Sequence, residues 1–366
     1  MIRTSAALQP VLDAIAGARR VAVDTEFHAE RHYHPRLMLI QLRADLGPAM
    51  LVDPLGDIDL APLGKALSEV PLLLHGGVMD LQILHREIGM RPTSVYDTQI
   101  AAGCAGDGFP IRLQELVRRH LDLHLPKAAT LSDWSQRPLS ADQLSYAADD
   151  VLLLEPLASA LDAKLAALGN TEIAAACTAE HLARALLPED LSQAWRTVPG
   201  AHLLDDTERA VLQALAAWRD SAAQERDVTR SNVVSDSMLL DLARRQPASF
   251  EALRANRRMP SQVWKREGTA VLACIAAGRT ATPPPGPVSR GRLWRELVGV
   301  AARTAEAERG VAPELVLTDT TLDRLAAGLP IESWRGSALG PEFAAFLDGR
   351  KAIVLPGKWK DLHFAV

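Results

Sequence analysis

Two acidic residues separated by one position lie in an apolar stretch near the N-terminus of the 366-residue chain. The stretch Val21–His28 is rich in β-favouring residues and carries Asp24 and Glu26. On a strand, residues i and i+2 face the same side, so these two carboxylates would lie next to each other. Adjacent carboxylates repel, which favours a divalent cation between them. An edge strand whose outward face carries two acids is the alternative explanation.

Three more residues that suit the same chemistry lie in predicted helices. Asp80 lies in the first turns of a helical pattern that follows an apolar run, a place where ligand sites form in open α/β sheets. Tyr146 and Asp150 are four residues apart in a later helical pattern, so they project from one face. Asp149 points about 100° away from that face. Each residue also has a structural explanation when taken alone: an acid that interacts with the helix dipole, a core-edge aromatic and a solvated helix face.

The pattern of apolar runs predicts the elements that position these residues. Three β-rich runs, at residues 20–28, 37–44 and 49–55, are joined by short polar connections, which predicts antiparallel neighbours. Helical segments then alternate with shorter strands at residues 71–76 and 94–97, and a helix between strands indicates a crossover. The predicted order is βββαβαβ followed by helices, which is an α/β layer fold.

Together these residues resemble the three motifs of the DEDD exonuclease superfamily, in the subclass with tyrosine in the third motif. The neighbouring strings DTEF, LIQL, LLHGGVMDL, YDTQIAA, SDWSQRPL and YAADDVLLL are similar to those of the ribonuclease D family. The resemblance covers nearly the whole chain. It implies a ribonuclease-H-like α/β exonuclease domain at residues 1–190, in which a mixed sheet is flanked by helices. The catalytic residues that it implies are Asp24, Glu26, Asp80, Tyr146 and Asp150, with the four acids as metal ligands.

Four carboxylates that meet at one point need cations to stay ionised in a partly dry site. The expected cofactors are two divalent metal ions, Mg²⁺ or Mn²⁺, which can stabilise the attacking and the leaving oxygen in phosphodiester hydrolysis. Tyrosine has an ordinary pKa of about 10, so Tyr146 is a poor base at neutral pH. The resemblance assigns Tyr146 to orienting the attacking water, and packing against the terminal sugar is the alternative.

Other polar residues lie close to these motifs. Asp97, in the string YDTQ, is interpreted as a structural residue and not as a metal ligand. His28, His32 and His34 are interpreted as lining a loop beside the site, with a zinc cluster as the weaker alternative. Lys127 is expected to contact a phosphate, although the segment after it is less polar than the resemblance implies.

Helical patterns continue through the second half of the chain. Residues 205–281 contain the string SNVVSDSMLLDLARRQP, which resembles the HRDC (helicase and RNase D C-terminal) domain, a small helical nucleic-acid-binding module. A proline-rich linker, TATPPPGPVS, follows it. The pattern Glu-Arg-x-Val at residues 225–228 recurs at residues 308–311, an offset of 83. The repeat predicts a second, degenerate HRDC-like domain at residues 288–366, so two small all-α domains are expected.

Basic residues gather around Trp264 in the first of these helical domains. Their side chains suit contact with the phosphates of a nucleic acid, whereas a solvated basic helix face with Trp264 in the core is the alternative. Residues 1–190 hold 16 Lys+Arg against 25 Asp+Glu, and residues 191–366 hold 24 against 20. The acidic half suits cation binding and the basic half suits a polyanion. The predicted nucleic-acid-binding residues are Lys127, Arg254, Arg257, Arg258, Lys265 and Arg266.

The composition is that of an ordinary globular protein, with 48% hydrophobic residues and a formal net charge of −5. Apolar runs are too short to span a bilayer and the N-terminal residues lack a secretory signal, so a cytoplasmic protein that binds no membrane is expected. Cys104, Cys177 and Cys274 are far apart and form no CxxC pair, which argues against a disulfide framework or a thiolate zinc site. All three are expected to be core residues.

The combined expectation is a 3′→5′ exoribonuclease that removes mononucleotides from RNA 3′ ends. The resemblance implies transfer RNA precursors as the substrate class and a monomer as the working form. A 3′→5′ exonuclease acting on DNA is the first alternative, because no residue identifies a reader of the ribose 2′-hydroxyl. A non-catalytic RNA-binding protein is the second, and the intact set of acids argues against it.

Overall fold

The chain folds as two compact units. The computed structural model describes residues 1–125, 132–256, 259, 261–286, 291–354 and 363–365. Unit 1 and unit 2 are defined by the ranges that they contain. Unit 1 consists of Met1–Phe27, Leu37–Leu187 and Ser289–Val366, and unit 2 consists of His28–Arg36 and Pro188–Val288.

A six-stranded mixed sheet is the centre of unit 1. Its strands lie in the order β1-β4-β3-β2-β5-β6. β3 and β4 are antiparallel, with Gln41 opposite Leu51, whereas the pairs β1–β4, β2–β5 and β5–β6 are parallel. The mixed sheet confirms the predicted fold class. The strands are β1 (Ile2–Thr4), β2 (Val21–His28), β3 (Arg36–Ala44), β4 (Met50–Asp57), β5 (Leu72–Leu74) and β6 (Val95–Asp97).

β1 is the strand of this six-stranded sheet that the sequence did not predict. It has only three residues, too few to show the alternation that identifies a strand. Its pairing depends on a close approach to β4 at Gly56, where an added Cβ would lie 2.3 Å from the backbone oxygen of Arg3. Glycine is therefore required at that position for β1 to pair.

The helices α1 to α8 of unit 1 flank the sheet. A separate hydrophobic core lies between each face of the sheet and the helices that pack on it. On β2, Val21 and Val23 pack with α1, α2 and α3, whereas Ala22 packs with α4, α7 and α8. Because side chains alternate along a strand, Asp24 and Glu26 lie on the same face as Ala22. The helices are α1 (Ser5–Ala16), α2 (Ala61–Ser68), α3 (Val78–Ile88), α4 (Thr98–Cys104), α5 (Leu113–Leu121), α6 (Ala141–Leu152), α7 (Leu154–Leu168) and α8 (Thr171–Ala185).

Unit 2 is helical apart from the segment His28–Arg36. A capping box between Asp205 and Glu208 starts its longest helix, and Gly278 allows close packing of two helices, since an added Cβ would lie 2.5 Å from Val211 Cα. The elements are two 3₁₀ helices (Leu191–Thr197 and Ala201–Leu203), α9 (Asp206–Arg226), α10 (Arg230–Val233), α11 (Asp236–Arg245), α12 (Phe250–Ala255) and α13 (Ser261–Thr280).

The C-terminal part of the chain shares a hydrophobic core with the α/β domain of unit 1. Val298, Leu315 and Phe343 are buried in the same cluster as residues of α4, α7 and α8. A two-stranded antiparallel ribbon follows the helices, which the all-helical expectation for this region had missed. The elements are α14 (Gly291–Arg309), α15 (Pro313–Val316), α16 (Asp319–Ala326), α17 (Ser333–Leu347), β7 (Ala352–Val354) and β8 (His363–Ala365).

Two buried polar residues fasten this C-terminal part to the α/β domain. Asn170 is fully buried and donates to the backbone oxygens of Cys104, at 2.8 Å, and Arg309, at 2.7 Å. Arg335 is 2% exposed and donates two hydrogen bonds to the carboxylate of Glu180, at 2.6 and 2.7 Å. This ion pair lowers the pKa of Glu180. A buried arginine is tolerated only with such a partner, so the contact is specific.

The cysteines and the hydropathy of the helices agree with the composition. Cys104 and Cys177 are buried, and Cys274 is partly buried and packs against the core of unit 2. Within the described ranges, none of the helices combines the length and the apolar character needed to cross a membrane.

Candidate active site

The strand β2 and the helix α6 bring three acids together. Asp24 and Glu26 project from the same face of β2, and Asp150 projects from α6. Their carboxylate oxygens lie within 4.8 Å of one another. In the described part of the chain, this is the only group of histidine, cysteine and acidic residues that is close enough to hold a metal ion.

Capping and packing fix the position of α6. The Ser140 hydroxyl accepts from the Gln143 backbone amide at 3.2 Å, and the Gln143 side chain accepts from the Ser140 amide at 2.9 Å. This capping box defines where the helix begins. Ala147 and Val151 are fully buried, so the side of the helix that carries them faces the protein interior. Asp150 lies between them in sequence and is 8% exposed.

Tyr146 lies one turn before Asp150 and faces the same cluster. Its hydroxyl is hydrogen-bonded to Asp150, and its ring packs on Trp134 with the ring centroids 6.0 Å apart. Burial, followed by the charges of Asp150 and Glu26, raises the pKa of the phenol. Tyr146 therefore keeps its proton at neutral pH and acts as a hydrogen-bond donor.

Asp80 lies beside the three clustered acids and is held by Thr25. It is buried in α3, and its carboxylate accepts a hydrogen bond from the Thr25 hydroxyl. Thr25 stands between Asp24 and Glu26, on the opposite face of the strand. Asp80 is outside the group of oxygens within 4.8 Å, but its charge acts on Asp24, Glu26 and Asp150.

Asp97 organises the turn that leads into α3. Its carboxylate accepts from the backbone amides of Gly76, at 2.9 Å, and Gly77, at 3.0 Å. It also caps α4 by accepting from Gln99 and Ile100. These four bonds agree with the structural role expected for Asp97. Asp97 thus positions Asp80 indirectly, because Gly77 is the N-cap of α3.

The four acids strongly disfavour one another's ionisation. Burial, together with the charges of the other three acids, raises the pKa of Asp24 well above its usual range. Burial and the charges of Asp150 and Asp80 raise the pKa of Glu26 to about 8. Burial is also the main reason that the pKa values of Asp80 and Asp150 rise to about 6. Across the described residues, neither lysine nor arginine forms an ion pair with any of the four.

This set of side chains fits a divalent cation. Carboxylate oxygens are the ligands that Mg²⁺ and Mn²⁺ prefer, and a bound cation would balance the charge that the protein itself leaves unbalanced. Asp24, Glu26 and Asp150 are close enough to share one ion, and Asp80 adds a fourth carboxylate next to them.

Metal binding at this site should depend on pH. Protons compete with a cation for carboxylates whose pKa is raised, so Mn²⁺ affinity is expected to fall at least about tenfold between about pH 8 and pH 6. Calorimetric titration in two buffers of different ionisation enthalpy measures the affinity and the protons released. Glu26→Gln should flatten the pH dependence. An affinity that stays constant over this range would contradict the electrostatic description of the site.

The sequence analysis did not identify the residues that hold Trp134 against the ring of Tyr146. Arg137 donates two hydrogen bonds of 2.7 Å to Asp53, and it also donates to the backbone oxygens of Trp134 and Met38. Trp134, which packs on Tyr146, is thereby fixed. Asp53 lies in an apolar strand, and a charged residue at such a position must be paired. An aspartate within an apolar strand is therefore the sequence feature from which a buried ion pair could have been predicted.

The predicted nucleic-acid-binding residues fall into two groups. Arg254 and Lys265 are exposed and lie over the ring of Trp264, 5.7 and 5.6 Å from its centroid. Arg266 is exposed as well, and pairs with Glu267 at 2.5 Å. Trp264 itself is partly buried against the core of unit 2. The other residues lie outside the described part of the chain: Lys127, Arg257 and Arg258.

His28, His32 and His34 do not form a metal-ligating group within the part of the chain that is described. His32 instead bonds Asp227 through Nδ1 at 2.8 Å. The zinc alternative therefore has no support in the structure.

Two family profiles match separate parts of the chain. A profile described as 3′-5′ exonuclease matches residues 1–166, which include β2, α3 and α6. A profile of the HRDC domain matches residues 208–275, which lie in unit 2.

Relatives match the chain over nearly its whole length. Ribonuclease D of Gluconacetobacter diazotrophicus is 34% identical, with 98% of this chain and 95% of that protein aligned. Ribonuclease D of Pseudomonas paraeruginosa is 33% identical, with 87% and 90% aligned. Among solved structures, that of Escherichia coli RNase D, described as an exoribonuclease involved in structured RNA processing, has a TM-score of 0.82 at 28% identity and covers 95% of this chain and 98% of its own.

Proposed function

The chain belongs to the ribonuclease D family of 3′→5′ exoribonucleases, and from that premise we propose that it releases nucleoside 5′-monophosphates from RNA 3′ ends by two-metal-ion hydrolysis. The observation that carries the proposal is the grouping of the Asp24, Glu26 and Asp150 carboxylates within 4.8 Å. A protein that only binds RNA has no use for this unfavourable concentration of acids.

The four acids would hold two divalent cations, Mg²⁺ or Mn²⁺. When bound, such a pair supplies activation of the attacking water and charge stabilisation of the leaving 3′-oxygen. Asp24, Glu26 and Asp150 would provide carboxylate ligands, and Asp80 would add a carboxylate that accepts a hydrogen bond from Thr25. Because β2, α3 and α6 already hold these carboxylates together, the site needs little rearrangement when the scissile phosphate binds.

Tyr146 orients the reaction without acting as a base. Its raised pKa keeps the phenol protonated, so the hydroxyl can donate to the attacking water or to a substrate oxygen. Packing on Trp134 restricts the ring to one orientation. Because Arg137 in turn fixes Trp134, the position of the hydroxyl is set by a chain of contacts that starts at the buried Asp53.

The substrate class is the part of the proposal that rests on relatives. Transfer RNA precursors fit a family whose solved member in Escherichia coli is described as acting in structured RNA processing. Exposed Arg254 and Lys265 in unit 2 are proposed to contact RNA phosphates, as is Lys127. The monomeric state, the cytoplasmic location and the second HRDC-like domain at residues 288–366 stay predictions.

A single experiment tests the reaction and its main alternatives. An RNA with a single-stranded 3′ end and a 5′ label is incubated with Mg²⁺ or Mn²⁺, with chelator, and beside a DNA strand of the same sequence. We expect a ladder that shortens one nucleotide at a time on RNA and disappears with chelator. A ladder on DNA but not on RNA would move the protein to the DNA exonucleases, and no ladder on either would make it a binding protein.

A further inference from the structure

Gln41, in the middle of β3, is a buried glutamine whose side chain makes no hydrogen bond. The residue is fully buried, and in the described part of the chain neither its amide nitrogen nor its amide oxygen has a hydrogen-bond partner. Buried polar groups are nearly always hydrogen-bonded, because a carboxamide that leaves water without a partner costs free energy. The neighbours of Gln41 therefore decide what this side chain does.

The side chain of Gln41 points from the sheet towards α6. Side chains alternate along a strand, and Ile40, the neighbour of Gln41, packs in the same core as Val23 of β2. Leu51, which lies opposite Gln41 on β4, packs instead against the cluster that contains Ala147 of α6. Gln41 therefore lies on the face opposite to Val23, which is the face that carries the acids of β2.

The pairing of β3 with β2 places Gln41 opposite Asp24. The two strands are neighbours in the sheet, and the seven residues that connect them are too few for a parallel crossover, so the strands are antiparallel. The Asp45 amide donates to the Arg20 backbone oxygen at 3.1 Å, so these two residues lie opposite each other. Four positions further along the pair, Gln41 faces Asp24. The Cβ atoms of such a pair lie about 5 Å apart.

The next residue of β3 on this face, Arg43, is already bonded elsewhere. Its guanidinium donates to the backbone oxygen of Gly47, at 2.9 Å, and to the backbone oxygen of Leu152, at the end of α6. Arg43 therefore holds α6 against the sheet. On this part of β3, the buried amide group of Gln41 is the hydrogen-bond donor that lies beside Asp24.

We propose that Gln41 is a positioning residue: its amide group donates a hydrogen bond to the Asp24 carboxylate when that carboxylate holds a cation. The proposal rests on the proposed function, because the cation is part of it. A carboxylate that binds a metal through one oxygen can still accept a hydrogen bond, which orients it. Part of the free energy of cation binding then comes from giving the buried amide a partner.

This role predicts effects of opposite sign on stability and on metal binding. Methionine is similar in size to glutamine but has no amide group. Gln41→Met should raise the urea midpoint of the metal-free protein by about 0.5 M, because apolar atoms replace an unpaired buried amide. Calorimetric Mn²⁺ affinity should fall about tenfold, and kcat on the 5′-labelled RNA should fall with it, while KM changes less than about twofold. A residue that only packs would show the reverse: lower stability and unchanged Mn²⁺ affinity.

Two further variants in the full-length chain complete the test. Gln41→Leu repeats it with a different apolar shape, so that a steric misfit of methionine is recognised. Gln213→Met is the matched control. The Gln213 amide donates to the Ser192 backbone oxygen at 2.9 Å, within unit 2, so this variant should lose some stability and keep both Mn²⁺ affinity and kcat.

The inference is overturned if Gln41→Met and Gln41→Leu keep the Mn²⁺ affinity, or if both are less stable than the unmodified protein without metal. The proposed function fails separately, if the unmodified protein leaves RNA intact or if Asp24→Asn keeps its activity. The metal-free stability and the Mn²⁺ affinity of the Gln41 variants do not depend on RNA hydrolysis, so the two failures can be distinguished.

Discussion

Replacing Asp24 by asparagine should reduce RNA hydrolysis by at least about a thousandfold while leaving the metal-free protein as stable as before, or more stable. A cation that activates water and stabilises the leaving group supplies several kcal/mol of the barrier reduction, and about 4 kcal/mol corresponds to a thousandfold. Asparagine keeps the size of the side chain but lacks the charge that a cation needs. The loss should therefore appear in kcat and in Mn²⁺ affinity.

The stability part of this prediction follows from the sign of the pKa shift. Burial and the neighbouring acids raise the pKa of Asp24 in the folded protein. A group of this kind stabilises the fold below its unfolded pKa of about 4, and that contribution is lost as the pH rises through the folded value. At neutral pH the Asp24 carboxylate thus destabilises metal-free protein, and asparagine removes the cost.

The adjacent acid provides a matched control for Asp24→Asn. Asp149 precedes Asp150 on α6 but is not part of the clustered group, so Asp149→Asn should keep activity within about twofold. Steady-state hydrolysis of the labelled RNA and thermal unfolding with chelator measure both effects. If Asp24→Asn retained a tenth or more of the activity, the assignment of the metal ligands would be wrong.

The second large effect, a loss of stability, is expected on substitution of Asp53, which is not one of the proposed catalytic residues. Asp53→Asn should lower the free energy of unfolding by about 3 kcal/mol, because breaking a buried ion pair leaves a charge without its partner. Asp53 is fully buried and accepts from Arg137, from the Leu55 amide at 3.0 Å and from Arg3 at 3.0 Å. Urea denaturation of the two proteins measures the difference.

The same substitution should also reduce kcat, because Arg137 would lose the anchor that holds Trp134 against Tyr146. The effect on stability should depend on pH. Although burial acts to raise the pKa of Asp53, the bonds from Arg137 and the Leu55 amide outweigh it and lower the pKa. The stabilising contribution is therefore present above about pH 4 and is lost as the pH falls through the lowered value, where the two proteins should converge.

An exposed aspartate is the control for Asp53. Asp319 is 93% exposed and lies 3.4 Å from Arg295; Asp319→Asn should change stability by less than about 1 kcal/mol. If both substitutions lowered the free energy of unfolding equally, burial would not be the reason that the Asp53–Arg137 pair stabilises the fold.

The parts of the site that could be predicted are those whose geometry is local. The spacing of Asp24 and Glu26 on a strand, and of Tyr146 and Asp150 on a helix, directly determines which side chains share a face. The capping box of Ser140 and Gln143, which marks the start of α6, is local in the same sense. Local spacing does not show that the acidic faces of β2 and α6 meet in space. That expectation came from the resemblance to a family.

The supporting residues could not be predicted because their partners are far away in sequence. Thr25 bonds Asp80, and Asp53 pairs with Arg137; neither pair has a periodic pattern that identifies it. The contacts of Tyr33, in the segment between β2 and β3, were missed for the same reason. The histidines around it drew attention to a zinc site, whereas the structure shows a segment fixed by a tyrosine to residues more than a hundred and fifty positions later.

The shared core of unit 1 has a consequence for how the enzyme is made. Residues of α14, α15 and α17 complete the hydrophobic cluster that also contains Ala22, on the strand of the catalytic acids. During synthesis, the exonuclease domain cannot bury that cluster until the last quarter of the chain has left the ribosome. A chain that ends before α14 would leave these apolar residues exposed to water, so we expect it to be less stable than the full-length chain and to be cleaved more readily by proteases.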